Sequence, residues 1–190
     1  STMVAAYAFS HYWIYMGATD GLAVKFRSLN SIFVYSHLIG GGFALVLGAT
    51  QLFTRKGSRW HRSIGIGYCV SVVVGGIGGG YLSFFADQKL AGLGFFSLDV
   101  IWLYSTFLAF RYARARQIEL HRRWIIRSLA LTAAAISLRL LLPLLMQIWS
   151  FEVSYLMVAW LSWTGNLLLA EIYLHATSRS TTLTKGNTSQ

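Results

Sequence analysis

Residues 31–54 read SIFVYSHLIGGGFALVLGATQLFT, a stretch without a single formally charged side chain. Residues 63–86 read SIGIGYCVSVVVGGIGGGYLSFFA, and they carry no formal charge either. Each stretch exceeds the roughly 20 residues that a helix needs to cross the hydrocarbon core of a bilayer. Both are much longer than ordinary strands, and backbone groups in lipid must bond to one another. The two stretches are therefore predicted to be transmembrane helices.

The composition of the whole chain favours the same class of protein. Of its 190 residues, 55% are hydrophobic and only 12% are charged, with a mean hydropathy of +0.54. A soluble domain carries about 25% charged residues, because its surface has to interact with water. A disordered chain needs low hydrophobicity and high charge. The composition excludes both classes.

Six segments are apolar enough to be predicted as spans, and the connections between them are short and polar. They are residues 3–19, 31–54, 63–86, 90–110, 124–148 and 153–176. The predicted fold is an all-α, polytopic membrane bundle of about six helices. It forms a single domain over residues 1–177, followed by a flexible tail over 178–190.

The positive charges fall mostly on one side of this topology. Twelve of the 16 lysines and arginines lie in two loops and their flanks or in the tail: Arg55, Lys56, Arg59, Arg62, Arg111, Arg114, Arg116, Arg122, Arg123, Arg127, Arg179 and Lys185. The positive-inside rule places these segments and both termini in the cytoplasm. The net charge of +10 therefore indicates topology in a bacterial inner membrane, with lipids as partners, and it does not indicate nucleic acid. A homo-oligomer remains open.

A short pattern occurs twice, 60 residues apart. His61-Arg62 in SRWHRSIGIG opens the third span, and His121-Arg122 in IELHRRWIIR opens the fifth. Each pair follows an arginine-rich loop and precedes a long apolar helix. Two related hairpins in the same orientation would place the two histidines at the same depth. The alternative is that any helix start on the cytoplasmic side attracts basic residues.

Burying an ionisable side chain inside a membrane costs free energy, so each such residue is a candidate for a functional role. The outer half holds His11, His37, Asp99 and Arg139, and the inner half holds Gln51, His61, His121, Glu171 and His175. Asp99 and Arg139 are predicted to lie at the same depth in the membrane, where an ion pair between them would have the lowest free energy. Small and polar residues form stripes on three helices, and these faces are expected to turn towards one another.

These residues resemble a known family. His37, Gly48, Gln51, His61-Arg62, Tyr68, His121-Arg122 and Arg139 look like the signature of the predicted membrane proteins grouped as domain of unknown function 2306. The resemblance covers about residues 31–175. It implies a membrane-helix fold and marks residues, but the family carries no settled activity that could be transferred.

The first functional hypothesis is electron transfer through a b-type haem. His61 and His121 would be the axial ligands of the iron, and Arg62 and Arg122 would pair with the propionates. The helix layout is similar to that of cytochrome b561-type proteins, with a quinone or a redox protein as partner. An outer haem would need His37 and His11. The glycine run 75–80 would either hold a flat ligand or pack helices closely.

Three alternatives stay open. A proton-coupled or small-solute carrier would use His37, Asp99 and Arg139. An accessory subunit without chemistry would bind lipid phosphates through its His-Arg pairs. A membrane enzyme would hold a metal with His61, His121 and Glu171, although no compact zinc motif occurs. No catalytic residue is identified from the sequence, so whether the protein is an enzyme stays open.

Overall fold

The computed structural model describes residues 28–187, with side chains described as far as Ser178. Within this range the chain forms six α-helices and no strand. They are α1 (Ser31–Phe53), α2 (Arg59–Phe84), α3 (Lys89–Arg114), α4 (Ile118–Thr132), α5 (Ala134–Leu145) and α6 (Phe151–Asn187). The helical class predicted from the sequence is confirmed.

Five segments of the described chain are long and apolar enough to cross a membrane, with α4 and α5 together forming one of them. Successive spans run antiparallel, so the loops α1–α2 and α3–α4 meet at one end of the bundle. We call this the arginine-rich end, because Arg55, Arg59, Arg111 and Arg114 lie there. Many large apolar side chains face outward, as expected for helices in contact with lipid.

Some predictions reach beyond these residues. The predicted span 3–19, with His11, and the position of the N-terminus lie outside the described part of the chain. The count of six spans and the cytoplasmic termini therefore stay predictions. Helix α6 continues to Asn187, through most of the segment predicted as a flexible tail, whereas residues 188–190 are not described.

Helices α1 and α2 pack with their backbones in direct contact. A Cβ added to Gly40 would meet the backbone nitrogen of Gly75 and would lie 2.7 Å from its Cα. A Cβ added to Gly78 would meet the Ser36 side chain and would lie 2.6 Å from the backbone nitrogen of His37. Only glycine permits such an approach. Gly75, Gly76, Gly78 and Gly79 of the glycine run therefore pack closely against neighbouring helices, whereas a Cβ at Gly80 would have nothing within 4 Å.

A network of buried hydroxyl groups joins α2, α3 and α4. The Tyr68 hydroxyl lies 2.6 Å from Ser128 Oγ and 2.7 Å from Thr132 Oγ1. Trp102 Nε1 donates to Thr132 Oγ1 at 2.8 Å, and Thr106 Oγ1 lies 2.6 Å from Ser128 Oγ. No oxygen of this network is left without a partner. We call it the hydroxyl network.

The hydroxyl network forms the centre of the packed core. Around it lie the buried side chains Ala44, Val72, Leu131, Ala134 and Trp163. The sequence pattern predicts that Tyr68, Ser128 and Thr132 face inward, and their burial confirms this. Trp102 is only 6% exposed, and its indole nitrogen donates into the hydroxyl network, so this tryptophan belongs to the core.

We expect Gly40→Ala to destabilise the protein by about 1–3 kcal/mol or more, because the new methyl group meets backbone atoms that cannot move aside. Gly41→Ala is the matched control, since a Cβ there has nothing within 4 Å. Removing glycine from an open helix position should stabilise by up to about 1 kcal/mol. Thermal unfolding in detergent measures both variants, and equal midpoints would contradict the packing role of Gly40.

Tyr68→Phe should cost about 1–3 kcal/mol, because Ser128 and Thr132 each lose a buried hydrogen-bond partner. Tyr173→Phe serves as the control, since Tyr173 is 50% exposed and its hydroxyl has no described partner. The control should change stability by less than about 0.5 kcal/mol. The same unfolding assay applies, and a Tyr68→Phe variant as stable as the control would contradict the network's contribution.

Candidate functional site

Asp99 lies in the middle of α3, among the residues that the bundle buries. The residue is 6% exposed. Within the described part of the chain its carboxyl group has no hydrogen bond and no ion pair. A buried carboxylate is normally paired or hydrogen-bonded. Asp99 is therefore an exception that packing alone does not explain.

His37 on α1 faces Asp99 across the backbone of α2. A Cβ built on Gly79 would lie 2.6 and 2.8 Å from the two carboxyl oxygens of Asp99, and 2.8 Å from His37 Nδ1. The missing side chain at Gly79 is thus what lets the two polar groups approach. We refer to His37, Gly79 and Asp99 as the Asp99 site.

The hydrogen bonding of His37 fixes its tautomer. Its Nδ1 lies 3.0 Å from the carbonyl oxygen of Gly75, which can only accept, so Nδ1 carries the hydrogen. Nε2 is left with a lone pair. The Asp99 site therefore contains a carboxyl group on α3 and an imidazole with a free Nε2 on α1, on either side of the α2 backbone at Gly79.

Arg139 does not form the predicted ion pair with Asp99. Its guanidinium donates to the carbonyl oxygen of Ala135 at 2.8 Å, and its charge acts on His37. The physical reason lies in the path of the chain: α5, which carries Arg139, packs mainly against α6, whereas Asp99 faces α1 and α2.

Gln51 and Glu171 lie apart from the Asp99 site, so the four predicted polar residues do not form one cluster. Gln51 donates from Nε2 to the carbonyl oxygen of His61 at 2.8 Å, near the arginine-rich end. Glu171 accepts two hydrogen bonds from Arg127, at 2.5 and 3.0 Å. Arg127 also lies over the Trp124 ring, 4.7 Å from its centroid. This bidentate pair joins α4 to α6.

The histidine pair, His61 and His121, lies at the arginine-rich end. Both side chains are half-buried at the starts of α2 and α4, and their charges act on each other. Arg62 is exposed, and Arg122 lies 3.8 Å from Glu119 one turn away. Among the described residues no group of three or more histidine, cysteine or acidic side chains could hold a metal ion.

The span predicted as one helix over residues 124–148 is interrupted at Ala133, between α4 and α5. Asn166 of α6 inserts its side chain at this point. Its Nδ2 donates to the carbonyl oxygen of Ala130 at 3.2 Å, and its Oδ1 accepts from Ser137 Oγ at 2.9 Å. A side chain that takes a helix carbonyl in this way is a known cause of helix breaks.

The comparison with protein families agrees with this architecture. A family described as "Predicted membrane protein (DUF2306)" matches residues 34–174, from α1 to near the end of the α6 span. The chain belongs to this family. The match includes His37, the histidine pair, Asp99 and Arg139. No curated protein and no solved structure gives a significant match.

Sequence reasoning missed three parts of this arrangement. Gly79 was one of several glycines in a run, and nothing marked it as the position between two polar groups. Thr106 lies on the same face of α3 as Asp99 and Trp102, at spacings of seven and four residues, which was an available signal. No signal in the sequence indicates that Asn166 pairs with Ala130 and Ser137, because these residues lie on helices far apart along the chain.

Asn166→Ala should destabilise the protein by about 1–3 kcal/mol, because it leaves Ser137 Oγ and the Ala130 carbonyl without their partner. Gly165→Ala on the same helix is the control, since a Cβ there has nothing within 4 Å. Thermal unfolding in detergent compares the two. An Asn166→Ala protein as stable as the control would show that the interruption at Ala133 does not depend on this side chain.

Proposed function

We propose that this membrane protein is a proton-coupled carrier of a small solute, with Asp99 and His37 as its proton-binding groups inside the membrane. The observation that carries the proposal is Asp99, which is 6% exposed and whose carboxyl group has no partner among the described residues. Ionisable groups in this position are rare, and they commonly mark proton relays or substrate pathways.

The chemistry of such a carboxyl group suits coupling. Without a partner in an apolar interior, its charged form is costly, and the cost falls when a proton, a cation or water reaches it. A carboxyl group that meets water first on one side of the membrane and then on the other takes up a proton and later releases it. Binding of a solute can be linked to this cycle through the change in charge.

His37 supplies a second proton acceptor at the same place. Its Nδ1–H is held by the Gly75 carbonyl, so its Nε2 lone pair has a fixed position. Arg139 contributes a positive charge that acts on His37. The carrier proposal therefore keeps His37, Asp99 and Arg139, the residues named for a carrier from the sequence, without an ion pair between Arg139 and Asp99.

Electron transfer through a b-type haem, with quinone or a redox protein as partner, is the second candidate. In its favour, His61 and His121 lie together with imidazoles that suit axial ligation. Against it, the glycine run is in contact with α1 and α3, and Gln51 covers α2 one turn beyond His61, where its Nε2 would lie 3.0 Å from a Cβ at Gly65. The residues fit as ligands, but the packing offers the macrocycle no flat face on α2.

The carrier proposal predicts proton movement that depends on Asp99. Purified protein is placed in liposomes with a pH-sensitive dye inside, and a pH gradient is imposed while potassium and valinomycin hold the membrane potential. A mixture of small polar metabolites is supplied outside. We expect proton flux above that of protein-free liposomes, and Asp99→Asn should reduce it to the protein-free rate, because the amide cannot bind and release a proton.

Glu152→Gln is the matched control, since Glu152 is exposed at the start of α6, and this variant should keep the wild-type flux. Thermal unfolding verifies that Asp99→Asn folds, which is expected because Asp99 has no partner to lose. Flux that persists in folded Asp99→Asn would refute the proposal, and so would wild-type flux no greater than that of empty liposomes with or without the solutes.

A further inference from the structure

The histidine pair owes its geometry to the register of α2 and α4. These helices run parallel, and Tyr68 on α2 touches Ser128 on α4 at 2.6 Å. His61 and His121 each lie seven residues before these contact residues, which is close to two helical turns. His61 and His121 therefore occupy equivalent positions on α2 and α4, each about two turns before residues that are hydrogen-bonded to each other.

Both rings are held through Nδ1. His121 Nδ1 lies 2.8 Å from the carbonyl oxygen of Ala109, which can only accept a hydrogen bond, so this Nδ1 is the donor. His61 Nδ1 lies 3.1 Å from Thr54 Oγ1, and it is the donor when the Thr54 hydroxyl donates to the Gln51 backbone carbonyl at 2.9 Å. In that state each Nε2 has a lone pair, and neither Nε2 has a hydrogen bond in the described part of the chain.

This arrangement is the one that proteins use to hold metal-binding imidazoles. A ligating histidine usually donates its other ring hydrogen to a carbonyl or a similar group, which fixes both the tautomer and the ring orientation. Neutral imidazole suits zinc, copper, nickel and iron, and not calcium or magnesium. The two rings lie close enough for their charges to interact. The equivalent positions of the two histidines on α2 and α4, together with the free Nε2 atoms, make them candidates to share one ion.

We propose that His61 and His121 bind one divalent transition-metal ion at the arginine-rich end, with water or a small anion completing its coordination. Lys56, whose charge acts on His61, favours an anionic ligand in one of the remaining positions. The site is independent of Asp99 and of the carrier proposal. It tethers the start of α2 to the start of α4.

Metal titration of the full-length protein in detergent micelles tests the proposal. After treatment with a chelator, the protein is titrated with Ni²⁺, Zn²⁺ and Cu²⁺ by calorimetry. We expect one ion per chain, and an affinity at least about tenfold lower in either His61→Gln or His121→Gln, because each removes one of two ligands. His175→Gln is the matched control, since His175 is exposed on α6, and it should bind like the wild type.

The spectrum of the Cu²⁺ complex gives a second readout that does not depend on affinity. Electron paramagnetic resonance should show nitrogen coupling from two imidazoles in the wild type and from one in each ligand variant. Circular dichroism and thermal unfolding establish that the variants fold.

Three results would overturn the assignment. The first is equal metal binding in the wild type and both ligand variants. The second is a stoichiometry of one ion per two chains. The third comes from a parallel arm in which haem is added and reduced with dithionite. A b-type spectrum that disappears in both ligand variants would assign the imidazoles to haem iron and not to a free ion.

Discussion

The need to pair polar groups inside lipid governs most of this bundle. Helices satisfy the backbone, but each side-chain hydroxyl, amide or charge in a span needs a partner from another helix or from its own preceding turn. The hydroxyl network meets this need with groups from three helices. Two polar side chains of α6 are paired as well: Glu171 with Arg127, and Asn166 with Ser137. Asp99 does not follow this rule, and neither do the buried hydroxyls of Ser154 and Ser162 on α6.

Close backbone packing is the second constraint, and it places the candidate site. Gly40 and Gly75 bring α1 and α2 so near that no side chain fits between them. The same approach brings His37 towards α2, and Gly79 leaves the gap across which Asp99 faces it. A larger residue at position 79 would separate the two polar groups. Packing and site therefore depend on one run of small residues.

The sequence was sufficient for the helical class, for most span positions and for the inward faces of α2 and α4. These follow from apolar length and from helical spacing, which are local properties. The ion pair between Asp99 and Arg139 was wrong because depth along a helix does not determine its direction around the axis. The interruption at Ala133 could not be predicted, since its cause lies on α6.

The contact of α1 with α2 along their glycines makes the hairpin a rigid body. Tyr68 fastens this body to α3 and α4 about a third of the way along α2 from the arginine-rich end. The distant end of the hairpin is held as well, because a Cβ added to Gly92 of α3 would meet the backbone oxygen of Ser83 on α2. Gly79 lies between these two fastened points, so backbone packing at both ends of α2 sets the separation of His37 from Asp99.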